Sequence, residues 1–237
     1  MKIIGLIPAR LSASRFDKKL LKDLCGKPVI VRTYEAVVNT KIFHSVYVIT
    51  DSDEILKVIK QINGNCLLSN YHHNSGSDRI AEASNKLEAD AFVNIQGDEP
   101  FIDSNSLKKI CFELKFSDYV SIMIKISESE ADNPNNVKVV VDKNNFAMYF
   151  SRSKIPYNRD SVECNLFKHI GVYGFKKKSL LDFAKLPPSK LEVVEKIEAI
   201  RILENGFKLK MIETDFLGIG IDTVEDLIFA RTKWLNK

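Results

Sequence analysis

Apolar positions along this chain follow two alternating rhythms. "KIIGLIPAR" opens with a short continuous apolar run and predicts a buried strand, and "PVIVRTYEAVVNT" then sets Val29, Val31, Tyr34, Val37 and Val38 at helical spacing. "HSVYVITD" is a second strand, "DEILKVIKQING" a helix closed by Gly64, and "SDRIAEASNKLEAD" a helix with Ser77 or Asp78 as its N-cap. "AFVNIQ" is again a buried strand. Strands alternating with helices in this way predict an α/β protein with a mostly parallel sheet flanked by helices on both faces.

The rhythm changes in the middle. "VSIMIKISE", "NNVKVVVDKNNFAMYFSRS" and "FKHIGVYGFKK" are strand-rich and joined by Asn- and Asp-containing turns. "VKVVVDKNNFAMYFS" reads as a hairpin turning at Lys143 to Asn145. The α/β pattern then returns: a helix over "LEVVEKIEAIRILENG", a strand over "KLKMIET" and a last helix over "IDTVEDLIFARTKWL". No linker, repeat or low-complexity segment divides the chain. The expectation is a single domain over 1–237, with a smaller mixed or antiparallel subregion at about 120–180.

Composition narrows the function classes. The 237 residues are 45% hydrophobic and 28% charged, an ordinary globular profile. With 35 basic against 31 acidic residues the net charge is only +4, too balanced for a nucleic-acid binder. No apolar run reaches the ~18 to 20 residues that span a bilayer, and the short N-terminal run makes a poor signal peptide. A soluble, cytoplasmic protein is expected. Cys25, Cys66, Cys111 and Cys164 are scattered without a CxxC pair, so structural thiols are expected.

Ligands of open α/β sheets bind beyond the carboxyl ends of the strands, so the chemistry is sought there. After the first strand, Arg10 to Lys19 holds two arginines, two lysines and two serines. No glycine lies between Pro8 and Gly26, so this is not a Walker A loop, and any grip on phosphate must come from side chains. Arg10 and Arg15 suit bidentate contacts to phosphate oxygens, and Lys19 a point charge; a solvated basic loop is the other reading. In "NIQGDEP", Asp98 follows an apolar strand, as a Mg²⁺ carboxylate would; a turn aspartate capping the next helix is the alternative. Asp222 in "GIGIDTVEDL" has the same logic, although Asp222 or Thr223 also reads as an N-cap.

Weaker candidates lie elsewhere. His169 sits alone in a strand. His72 and His73 would point apart in an extended chain and make a poor metal pair. "SGS" is a tight turn beside Arg79. Glu195 and Glu198 share a helix face three residues apart, to bind a polyhydroxylated ligand or pair with Arg201 in solvent. Arg152 and Arg159 suit a carboxylate or are surface charges.

Taken in order, "IPARLSASRFDKKLL", "GKPVIVRTYEA", "SGSDRIAEA", "NIQGDEPFI", "NPNNVKVVVD", "YFSRSKIPYNRD", "KHIGVYGF" and "GIDTVEDL" resemble the motifs of the 3-deoxy-manno-octulosonate (KDO) cytidylyltransferase family, from residue 3 to about 230. The resemblance implies a Rossmann-like nucleotidyltransferase fold whose smaller mixed sheet serves a homodimer. It implies activation of KDO by CTP, with release of pyrophosphate, to give CMP-KDO for lipopolysaccharide assembly. Pro8, Ala9, Arg10, Ser12, Ser14, Arg15 and Lys19 would line the nucleotide, with Ser75, Gly76 and Arg79 against nucleotide and sugar. Gln96, Arg152, His169 and Glu198, with Arg79, would contact the sugar acid, and Asp98 and Asp222 would hold Mg²⁺. Arg10, Arg15, Lys19, Asp98 and Asp222 would carry the catalysis. Joining two anions calls for cationic side chains and metal rather than a protein nucleophile.

Two departures stand out. Asp17 and Lys18 replace a Pro-Gly turn, and Ala199 replaces a glutamine that helps bind the sugar. The second leaves 8-amino-KDO or another ulosonic acid as alternative substrates. A non-catalytic nucleotide-sugar binder is the competing class.

Overall fold

Leu6 and Ile7 are consecutive and both fully buried, so β1 (Ile3–Ala9) is covered on both faces, as the unbroken apolar run requires. The computed structural model describes residues 1–11, 16–69, 73, 76–216 and 218–236. Two compact units are formed, Met1–Leu107 with Gly218–Lys237, and Lys108–Leu217.

In the first unit β1 pairs in parallel with β2 (Ser45–Thr50), and β2 with β3 (Cys66–Leu68). The other side of β1 pairs in parallel with β4 (Ala91–Asn94), giving the order β3-β2-β1-β4. Chain progression reverses across β1 and β4, so the crevice beyond Ala9 and Asn94 is the switch point where ligands bind.

Helices α1 (Val29–Asn39), α2 (Asp53–Gln61) and α3 (Gly76–Ser84) make the crossovers. The Ser52 side chain accepts the Ile55 N–H and caps α2. At its far end Gly64 closes the helix as expected, its N–H donating to the Ile59 carbonyl (2.9 Å), but it is not the left-handed residue. Asn63 takes the left-handed turn (φ 56°), and Gly64 is instead needed for space: a Cβ there would lie 2.7 Å from Ile59 Cγ2. Ser77 and Asp78 do not cap α3, which already begins at Gly76. Ser77 is fully buried and its Oγ accepts from Asn94 Nδ2 (3.4 Å). α4 (Ser104–Glu113) runs from the first unit into the second, and α9 (Val224–Leu235) completes the first.

The second unit follows the strand-rich reading. β5 (Tyr119–Ile126) leads through the short α5 (Glu128–Ala131) to a hairpin of β6 (Lys138–Val141) and β7 (Ala147–Ser151). Asp142 closes its turn by accepting the Asn144 and Phe146 N–H groups (2.8 Å each), with Asn145 at φ 59°. β8 (Leu166–Lys176) runs antiparallel to β5 and β6, and β9 (Leu209–Thr214) parallel to β5. Ser121 faces Tyr173 while Ile122 faces Ile170, so Gly171 and Val172 bulge from β8.

α6 (Lys177–Lys185) follows β8. The single helix expected next is broken: α7 (Lys190–Glu195) stops at Lys196, whose left-handed backbone (φ 55°, ψ 45°) separates it from α8 (Ala199–Glu204). All four cysteines are free thiols, as expected. Among the described residues no helix is long and apolar enough to cross a membrane.

Candidate functional site

Three separate segments deliver one cluster in the first unit. After β1 the chain reaches Lys18, held left-handed (φ 51°), and a single 3₁₀ turn, Lys19–Leu21, pinned by buried Leu20. The Lys19 ammonium donates to the Asp98 carboxylate and to Asp222 Oδ1 (2.7 Å).

Asp98 is fixed through its neighbours. A Cβ on Gly97 would approach the Pro8 carbonyl oxygen and Ile30 Cδ1 to 3.1 Å, so glycine lets this turn close on the end of β1. Thr33 Oγ1 donates to the Gly97 carbonyl (2.9 Å), and the Ile221 N–H donates to that of Asp98 (3.0 Å). The capping alternative at the last helix is resolved between neighbours. Thr223 and Asp226 form the capping box of α9, and Asp226 also accepts the Asp222 N–H (3.0 Å). The Asp222 side chain thus leaves capping to Thr223 and turns to Lys19.

Burial acts to lower the Lys19 pKa, but Asp98 and Asp222 outweigh it and raise the value, so the lysine stays charged. Two carboxylates converging on one cation fit the donor set of Mg²⁺, which takes one or two carboxylates with substrate phosphates. Among the described residues no cluster of three or more His, Cys, Asp or Glu forms a protein-only cage.

Other predicted residues of this unit have distinct surroundings. Pro8 and Ala9 end β1 and Arg10 is exposed beyond it; Ser12, Ser14, Arg15, Ser75 and His72 lie outside the described residues. Arg79 is 5% exposed, donates from Nη2 to Asp51 Oδ2 (2.8 Å), and leaves Nη1 buried without a hydrogen-bond partner among the described residues. Gly76 brings the start of α3 against Pro8, where a Cβ would meet Pro8 Cγ at 3.3 Å. Gln96 is half-buried beyond β4, its carbonyl accepting the Glu99 N–H (3.2 Å). His73 pairs with Glu82 (2.7 Å).

In the second unit His169 is buried on β8, its Nε2 2.9 Å from Ser121 Oγ at the bulge. Its ring meets Phe150 and Tyr173 edge-on, at 4.9 and 5.3 Å. Burial pushes its pKa down to about 3, so it is neutral. Burial first, then the charges of Glu198 and Glu192, raise the Tyr173 hydroxyl, which places Glu198 in the same neighbourhood.

The shared face of Glu195 and Glu198 is not formed. Glu195 ends α7, Glu198 precedes α8, and Lys196 breaks the helical register between them. Nor is Arg201 in solvent: it is 2% exposed, paired bidentately with Glu192 (Nε–Oε2 2.8 Å, Nη2–Oε1 2.6 Å), and lies over the Phe183 ring at 4.6 Å. Glu195 instead accepts the Ser151 hydroxyl (2.6 Å) and the Arg152 N–H (2.9 Å). Arg159 is exposed. Sequence reasoning missed Lys138, Glu192, Ser121 and Thr33 as structural partners. Asp51, the partner of Arg79, was legible as a carboxylate directly after the second strand.

A lysine and two carboxylates gathered at the switch point of a β3-β2-β1-β4 sheet is an arrangement suited to nucleotidyl transfer. Comparison with known proteins gives the family. A cytidylyltransferase family model matches residues 4–212. Proteins named 3-deoxy-manno-octulosonate cytidylyltransferase from Flavobacterium johnsoniae and Christiangramia forsetii are each 52% identical, covering 98% of both chains and 97% of this chain with 96% of the relative, respectively. The structure of a CMP:2-keto-3-deoxy-manno-octonic acid synthetase complexed with CTP superposes with a TM-score of 0.95 at 32% identity, over 100% of this chain and 99% of that one. The chain belongs to the 3-deoxy-manno-octulosonate cytidylyltransferase family, and is a nucleotidyltransferase. HddC from Yersinia pseudotuberculosis (TM-score 0.71, 18% identity, 99% and 100% coverage) shares the fold alone.

Proposed function

We propose that this chain transfers CMP from CTP to the anomeric hydroxyl of KDO, giving CMP-KDO and pyrophosphate. The observation that carries the reading is Lys19 held between Asp98 and Asp222. The reaction brings an anionic sugar acid to an anionic triphosphate, so the protein's task is to offset charge and fix geometry. Lys19 stays charged and is kept in place by both carboxylates. Asp98 and Asp222 would hold Mg²⁺. When bound, the metal supplies charge neutralisation on the phosphates and the leaving pyrophosphate.

Arg10, Ser12, Ser14 and Arg15 are assigned to the triphosphate and Pro8, Ala9, Ser75 and Gly76 to the nucleotide. Arg79, whose Nη1 keeps a buried N–H donor unpartnered among the described residues, reaches nucleotide or sugar acid. In the second unit Arg152, His169 and Glu198 are assigned to the sugar acid, with Gln96 from the first. The neutral His169 suits hydrogen bonding to hydroxyls rather than charge pairing.

Ala199 favours keeping a second reading, the same transfer to 8-amino-KDO or another ulosonic acid. It is fully buried at the start of α8 and offers the sugar no hydrogen-bonding group. The surviving lysine and carboxylates argue against a non-catalytic binder. We further propose a homodimer through the second unit, where Met148, Tyr157, Val162 and Val194 are exposed by 64, 88, 64 and 77%, and a cytoplasmic place in lipopolysaccharide biosynthesis. Pyrophosphate release with CTP, Mg²⁺ and KDO tests the activity. Release that persists unchanged in Asp98→Ala and Asp222→Ala would exclude the assigned site.

A further inference from the structure

Lys138 is completely buried, yet its ammonium donates to no carboxylate among the described residues. Its three partners are main-chain carbonyls: Asn133 (3.1 Å), Asn136 (2.7 Å) and Arg152. Placing an ammonium in the interior is costly, and three carbonyl acceptors satisfy its hydrogen bonds without an ion pair, the charges of Glu195 and Asp132 acting on it only from beyond contact. A solvent-facing or hydrophobic residue would be the ordinary choice at this strand position, so the lysine is tied to something specific. Two of its partners lie in the 133–136 turn and the third is the backbone of Arg152.

Arg152 shows the same pattern. Nε donates to the Glu195 carbonyl (2.7 Å), Nη1 to that of Pro134 (3.1 Å) and Nη2 to that of Lys196 (3.4 Å). These engage three of the five guanidinium N–H donors, none with a carboxylate among the described residues. The Glu195 carboxylate goes behind it, to the Arg152 N–H and the Ser151 hydroxyl. So the Arg152 backbone is clamped from both ends, by Glu195 on its N–H and Lys138 on its carbonyl. The turn that Lys138 ties down supplies, through Pro134, one of the acceptors that orient the guanidinium. Burial first, then the Arg152 charge, lower the Lys138 pKa and outweigh the Glu195 and Asp132 charges that act to raise it.

We infer that Lys138 is a positioning residue for the sugar acid: it locks the 133–136 turn to the Arg152 backbone, so that the guanidinium presents an oriented charge, unpaired with any carboxylate, to the substrate carboxylate. The inference rests on the assignment of Arg152 to the sugar acid. Charge-assisted recognition of a planar carboxylate depends on guanidinium orientation, so loosening the frame weakens that contact and spares the nucleotide.

Steady-state kinetics of the full chain test it. Lys138→Met should raise KM for KDO about tenfold or more and leave KM for CTP within about twofold. Lys138→Gln, which returns N–H donors to the carbonyls, should fall between it and the parent. Arg152→Ala should itself raise KM for KDO, and Lys138→Met should then add little, because both act through one group. Effects that multiply, or KM values for both substrates rising together, overturn the inference while leaving the Arg152 assignment intact. An unchanged KM for KDO in Arg152→Ala overturns that assignment and the inference with it. If Lys138→Met does not fold, Glu195→Gln at a half-exposed position carries the same test: a loosened Arg152 N–H contact should raise KM for KDO alone, and no change would overturn the inference.

Discussion

Lys19 shows how one side chain draws its role from residues 79 and 203 positions away. Removing either carboxylate strips a ligand from the assigned metal site and loosens the lysine. Asp98→Ala and Asp222→Ala should each lower turnover by about 100-fold or more, the usual effect of deleting one charge-stabilising group. Near-parental unfolding midpoints with lost pyrophosphate release would separate chemistry from folding. Lys18 bears a different strain. It holds a left-handed conformation that glycine adopts freely, offset by an exposed pair with Glu54 (2.9 Å). Lys18→Gly should raise the urea midpoint and Lys18→Ala should lower it, since alanine keeps the strain and loses the pair.

Elements carry the next scale. α7 and α8 are held across their break by the buried Arg201–Glu192 pair, with side chains 3 and 12% exposed. Glu192→Ala would leave a buried guanidinium uncompensated and should cost about 3–5 kcal/mol, read from urea unfolding. The β8 bulge sets His169 in a fully buried place with a pKa of about 3, against 6.5 for an ordinary histidine. Between those values the unfolded chain binds the extra proton. Stability therefore holds above about pH 7 and falls as pH drops through this window, by up to ~1.4 kcal/mol per pH unit. Denaturation at several pH values should show a shallower fall in His169→Asn. Apolar periodicity made β1, α1, β2, α2, β4 and α9 legible, because burial there repeats with the geometry of the backbone. It did not reveal the break at Lys196: Leu191, Val193 and Val194 are exposed, so their apolar spacing does not report a buried face. The cap of α3 was misread for a related reason, since Ser77 is buried against Asn94 inside the helix rather than placed by local propensity.

At the scale of the whole molecule, the two units divide the assigned work. Met1–Leu107 with Gly218–Lys237 carries the charged cluster beyond parallel strands, and Lys108–Leu217 carries Arg152, His169 and Glu198 on and beside mixed ones. Asp98 and Asp222 were visible in sequence because an acidic residue just after an apolar run is unusual without a partner. Their meeting at Lys19 was not, since only the fold brings them together. Lys138 went unread because a lysine in a strand pattern looks like a surface charge. Sedimentation at several concentrations should give a dimer, and polar substitution of Met148 and Val194 should shift it to monomer. The most direct test of the account is pyrophosphate release by the purified protein with CTP and Mg²⁺, with KDO, 8-amino-KDO and a sialic acid offered separately. Mg²⁺-dependent release with KDO is expected, lost in Asp98→Ala and Asp222→Ala. Absence of release with every acid, or release indifferent to both carboxylates, would contradict it.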